Sequence, residues 1–180
     1  MNLNQLLAAI EAGTAPPLLC FYGHEVLPGG AVGPSCLSQW YPAEFTVDGV
    51  RYPTAEHWMM AGKARLFQDA EMLGKILAAP RPSQAKALGR KVRGFDTAAW
   101  EAARSGIVVA GNLAKFGQNP ALRAYLLGTA PALLVEASAR DNIWGIGLGL
   151  EDPRAQDPRQ WRGLNLLGFA LVEVRGRLSS

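Results

Sequence analysis

EFTVDGVRYPTAEHWMMAGKARLF, from Glu44 to Phe67, decides how the chain is read. EFTV and VRYP alternate apolar and polar residues about Asp48-Gly49, the strongest short signal for a β-hairpin with a two-residue turn. Pro53 then ends the second strand and Thr54 supplies an N-cap hydroxyl, so a helix runs from Ala55 to Phe67. Downstream, helices are expected from Asp69 to Ala79, Ser83 to about Val92 and Asp96 to Phe116, each preceded by a side chain able to accept from orphan amides. Pro120 opens a shorter helix that Gly128 closes, with proline at the first position where its missing N–H matters least.

LLVEAS from Leu133 reads as a strand. Asn165 caps the last helix, whose Leu166, Leu167, Phe169, Ala170, Leu171 and Val174 cover a core. Upstream, residues 4 to 12 form a short helix closed by Gly13, LLCFYG from Leu18 reads as a buried strand, and a glycine-rich loop reaches about Ser38. The fold class expected is α+β, predominantly α-helical, with small β-hairpin and sheet elements. A chain of 180 residues that is 49% hydrophobic fits a single domain over 1–180, with its core at about 18–178.

Composition narrows the function. No apolar run approaches the roughly 20 residues of a membrane span and the N-terminus has no basic n-region, so no membrane partner is expected and the localisation reads as cytoplasmic. Cys20 and Cys36 read as reduced thiols, and His24 and His57 have no ligand spacing with them, so neither metal nor cofactor is expected. The net charge of +3 suits an anionic small molecule or a nucleic acid. Arg81, Lys86, Arg90, Lys91 and Arg93 gather charge in one stretch, although solvated helix faces look the same. No GxxxxGK[ST] occurs, GIGLGL lacks the following helix of a dinucleotide fingerprint, and no nucleophile elbow is present.

DNIWGIGLGLEDPRAQDPRQWRGLNLLG, residues 141 to 168, combines an acid, two tryptophans and glycine turns in one loop. Such loops are common places for binding. Asp141 can stabilise a cationic transition state or orient a water, and Trp144 can stack on a base; they also serve as a loop cap and an apolar lid. Glu56 and Lys63, seven residues apart, fall on one helix face about 10 Å apart, where a ribose fits. Equally, Glu56 favours the positive helix end and Lys63 is solvated. Trp58 and Trp100 stand among apolar neighbours at core spacing.

Taken in order, Phe21-Tyr22, SQWYPAEFTVDGVRYPTAEHWMMAGKARLF, AKALGRKVRGFDTAAWE, KFGQNPALRAYLLGTAPALLVEAS, DNIWGIGL and NLLGFALVEVR resemble the NADAR domain family, also called YbiA-like. The resemblance implies a mostly helical domain and an N-glycosidase cleaving ribose C1–N bonds. Its partners would be phosphorylated riboflavin-pathway intermediates or ADP-ribose joined to guanine, including ADP-ribosylated nucleic acid. It implies Glu56, Asp141 and Lys63 as catalytic residues, with Trp144, Gly145, Gly147, Trp100 and Asn165 as substrate-binding matches; Arg90 and Lys91 could meet phosphate. LEDPRAQDPRQWRG, with Trp161, is longer than the loop of some relatives, and Met59, Met60 and Gly62 replace glutamine or aromatic residues. A non-catalytic ADP-ribose or nucleotide-binding module is the alternative, although a pure reader of anions gains little from two acids. A general nucleic-acid binder is opposed by Glu151, Asp152 and Asp157.

Overall fold

A computed structural model describes residues 1–179. In chain order the elements are α1 (Leu3–Glu11), β1 (Leu18–Phe21), β2 (Phe45–Val47), β3 (Val50–Tyr52), α2 (Ala55–Leu66), α3 (Ala70–Leu77), α4 (Pro82–Gly89), α5 (Thr97–Gln118), α6 (Pro120–Gly128), β4 (Leu133–Glu136) and α7 (Leu166–Leu178). The α+β, mainly helical class is what the local signals called for. Packing resolves two compact units, Met1–Ser38 with Ala121–Ser180, and Gln39–Pro120. Neither boundary lies in a low-complexity linker, so composition gave no sign of them.

In the unit Gln39–Pro120, Asp48 and Gly49 both take positive φ, 51° and 76°, the type I′ form that matches strand twist. β2 and β3 pair antiparallel with Phe45 opposite Tyr52. Thr54 caps α2, its hydroxyl accepting from the His57 amide at 3.4 Å. α2 then packs against α3, α4 and α5. Small residues permit that: Met60 fills the space a side chain on Gly89 would need, and the Trp58 ring lies on Gly111. Trp58 Nε1 also donates to Ile107 O at 2.7 Å, fastening α2 to α5. Asp69 and Asp96 cap α3 and α5 as expected. The start of α4 differs: its N-cap is Arg81, which bears no acceptor, and Pro82 opens the helix without a side-chain cap.

In the other unit, β1 and β4 run parallel, Leu18 beside Leu133 through Phe21 beside Glu136. β1 is less buried than its apolar run implied; of its residues only Phe21 is fully covered, whereas Leu133, Leu134 and Val135 of β4 are buried. α7 packs on β4, and Leu6, Leu133, Val135, Ala137, Ile146, Leu148 and Ala155 form the core. Cys20 and Cys36 form no disulfide among the described residues. Among the described residues no helix is long and apolar enough to cross a membrane.

Candidate functional site

Glu56 stands in the first turn of α2 and is 2% exposed. Its amide, one of the orphan donors of a helix start, donates to Gln39 O at 2.9 Å. Gln39 is itself tied to α5: Asn112 Nδ2 donates to Gln39 Oε1 at 2.8 Å and to Val108 O at 2.9 Å. Next to Glu56, His57 is fully buried, with Nε2 donating to Ala79 O at 2.9 Å and Nδ1 accepting from the Thr54 hydroxyl at 2.8 Å. Burial pushes its pKa below the ordinary histidine value, against an opposing bond from Ala79, so the ring is a neutral strut between α2 and the α3–α4 turn. Residues 54 to 57 thus hold the Glu56 backbone from several directions.

Lys63 lies near the other end of α2, and its Nζ sits 4.2 Å from the centroid of the Phe95 ring and 5.6 Å from that of Trp100. Burial pushes its pKa below the usual lysine value. The structure therefore brings Lys63 and Trp100 together. It fills the strip between Glu56 and Lys63: Met60 is 7% exposed and packs on Gly89, which overturns the expectation of a ribose lying across that face. Periodicity names a helix face, but what covers the face is decided by distant residues. Arg90 and Lys91 are exposed at the C-terminal end of α4, where cations also offset the helix dipole.

In the unit containing β4, Asp141 Oδ1 accepts from the amides of Ile143 and Trp144 at 2.9 and 2.8 Å. The carboxylate thereby shapes the turn that presents the half-buried Trp144. Gly145 and Gly147 make the turn close. A β-carbon on Gly145 would meet Glu136 O at 2.8 Å, and Gly147 has φ +68° with the Arg162 β-carbon 2.9 Å from where its own would be. Gly147 N donates to Asp141 O at 3.0 Å. These glycines build the loop with their backbone, a task different from touching a ligand.

Asn165 also departs from expectation. It occupies the cap position of α7 in a left-handed conformation, φ 52°, but makes no side-chain cap bond. Instead its Oδ1 accepts from the Glu136 amide at 3.0 Å and its Nδ2 donates to Leu134 O at 2.9 Å. Fully buried, the amide fastens α7 to β4 rather than facing a substrate. The long insertion folds into two 3-10 turns, Pro153–Gln156 and Pro158–Gln160, capped by Asp152 and Asp157. Arg154 pairs with Asp152 at 2.6 Å and Arg159 with Asp157 at 2.8 Å, while Trp161 Nε1 donates to Ala155 O at 2.9 Å. Among the described residues, no group of three His, Cys, Asp or Glu side chains is placed to hold a metal.

Phe95, Gln39, Asn112 and His57 escaped the sequence reading as site neighbours. Only His57, adjacent to Glu56, carried a local signal; the others meet α2 through tertiary contacts.

A NADAR domain model matches residues 20–179. An N-glycosidase of Acanthamoeba polyphaga mimivirus is 40% identical over 148 residues, 79% of this chain and 87% of that protein. N-glycosidase YbiA of Escherichia coli strain K12 is 35% identical over 133 residues, 74% of each chain. An N-glycosidase of Nostoc punctiforme is 32% identical over 140 residues, 78% of this chain and 83% of its own length. The NMR structure of Escherichia coli YbiA superposes with a TM-score of 0.70 at 29% identity, covering 91% of this chain and 86% of that one. Family model, relatives and fold agree over nearly the same residues, and the chain belongs to the NADAR domain family.

Proposed function

We propose that the protein is an N-glycosidase that hydrolyses the ribose C1–N bond of a phosphorylated ribosyl or ADP-ribosyl compound. The names of the curated relatives support the reaction class. The observation that carries the reading within this chain is the placement of Glu56. An acid at the surface of a first helical turn gains about 0.3–1 kcal/mol from the dipole, whereas taking a carboxylate out of water opposes folding by several kcal/mol. Helix stability alone therefore gives no reason for an acid that is 2% exposed, and Thr54 already does the capping. Hydrolysis supplies one.

Cleavage puts positive charge on the sugar as the C1–N electron pair moves to the base nitrogen, and water then bonds to C1 while its proton passes to a base. Glu56 is assigned to that charge or that proton. Asp141, which shapes its own turn, is the second carboxylate that the family resemblance offers for this chemistry. Lys63, its Nζ against the Phe95 and Trp100 rings, is assigned the amine role, attack on an opened sugar aldehyde, in preference to a phosphate clamp. Trp144 and Trp100 offer ring faces to base or sugar, and Arg90 and Lys91 offer charge to phosphate. The substrates that fit are a ribosylaminopyrimidine phosphate of the riboflavin pathway and ADP-ribosylated guanine, free or in nucleic acid.

Chromatographic assay of both compounds with purified protein tests the reading. Glu56→Gln should lower turnover more than ~100-fold without unfolding the protein. Near-parent turnover would remove Glu56 from the chemistry, and tight binding without any cleavage by the parent would make the protein a nucleotide-binding module.

A further inference from the structure

Phe95 is 45% exposed, so burial does not account for where its ring lies. The chain fixes it from both sides. Two residues earlier, Arg93 is clamped to Asp69: its amide donates to Oδ2 at 2.9 Å, Nε to Oδ2 at 3.2 Å and Nη2 to Oδ1 at 2.8 Å. Asp69 is 4% exposed and at the same time caps α3 by accepting from Met72 N at 3.1 Å. One residue later, Asp96 caps α5 by accepting from Ala99 N at 2.7 Å. Phe67, closing α2, meets the Phe95 ring edge-on with centroids 5.3 Å apart. An outward-facing ring held in this way lies directly over the Lys63 amine, 4.2 Å from its centroid.

We propose that Phe95, presented by the Asp69–Arg93 clamp, is a positioning residue that caps Lys63, holding its amine beside Trp100 and keeping water from it. For catalysis this rests on the reading of Lys63 as the working amine; the capping itself belongs to the unliganded protein. Two effects of the ring oppose each other. Its face attracts the ammonium, and its bulk excludes the water that would stabilise the charge. Burial wins, since Lys63 holds its proton less firmly than an ordinary lysine. The surrounding charges are engaged elsewhere. Arg93 pairs with Asp69 and Glu71, Lys75 with Glu71 and Arg104 with Glu101, while Lys86 on α4 lies over Trp40 and Arg65 over Tyr52.

The test labels the lysines reductively with carbon-13 methyl groups and follows the titration of Lys63 by NMR in the whole protein without substrate. Phe95→Ala should raise the Lys63 midpoint, so that the neutral fraction at a fixed pH below both midpoints falls at least about twofold. Phe95→Leu keeps the cover but lacks the ring face, and should leave the midpoint at or below that of the parent. An unchanged midpoint in the alanine variant overturns the proposal, as does a leucine variant that rises as far as alanine. Because no turnover is read, a failed catalytic role for Lys63 and a failed cap are separately visible.

Discussion

Replacing Asn165 by alanine tests the fastening of α7 in a way that separates support from catalysis. Its side chain satisfies two main-chain groups of β4, the Glu136 amide at 3.0 Å and the Leu134 carbonyl at 2.9 Å. Each group left without a partner in this interior opposes folding by about 1–3 kcal/mol. Alanine also loses the tolerance of asparagine for φ 52°, adding about 1 kcal/mol. A loss of roughly 3–7 kcal/mol follows, and at about 2–4 °C per kcal/mol for a chain of this size the melting temperature should fall by at least about 6 °C. Asn165→Gly abolishes the same two bonds but accepts the backbone angle, so it should lie about 1 kcal/mol above alanine once its own chain entropy is allowed for. Urea denaturation of the parent and both variants measures these differences. At a temperature where the folded fraction is full, the Michaelis constant should stay within about twofold of the parent. An alanine variant within about 0.5 kcal/mol of the parent, or one that melts normally but binds substrate poorly, would refute the fastening and restore a ligand role.

Asp141→Asn keeps an oxygen for the amides of Ile143 and Trp144 but removes the charge, so it should fold normally and lose at least about tenfold in turnover; an unaltered rate takes Asp141 out of the chemistry. Trp144→Ala should chiefly raise the Michaelis constant, by roughly tenfold on the scale of one lost base stack, and an unchanged constant would end the stacking role. His57 has a folded pKa below its unfolded value near 6.5, so the stability it lends is present above that value and lost as pH falls through the folded one. Denaturation from pH 7 down to about pH 5 should show a smaller acid loss in His57→Gln than in the parent, and identical pH slopes would contradict the neutral strut.

Much of the frame is legible because its signals are local. Asp48-Gly49 encodes its own turn, and Thr54, Asp69 and Asp96 each reach amides within three residues. Asn165 looked like another cap by the same logic, but its bonds run to Leu134 and Glu136, and no local rule ranks a distant strand against a nearby helix start. The α4 start differs from its local signal for a related reason: Pro82 needs no cap acceptor at its own nitrogen, so the helix begins before Ser83 without any side-chain cap. At the site, the heptad spacing of Glu56 and Lys63 is correct as geometry on α2. The spacing could not show that Met60 packs on Gly89, nor that Phe95 lies over Lys63, since each depends on the path of the chain between helices.

The insertion after Gly147 departs from and returns to a single seam, because Arg162 N donates to Ile146 O at 2.9 Å and Leu164 N to Asn142 O at 3.0 Å. Between those stitches the arginines neutralise the aspartates of their own turns, and only a few side chains, Ala155 and Trp161 among them, plug into the core. Such a segment behaves as an exchangeable cassette: doubling its length adds only about 0.6 kcal/mol of closure entropy, while the seam stays as it was. Changes to this segment can therefore remodel one stretch of surface without reopening the frame that carries Asp141 and Trp144.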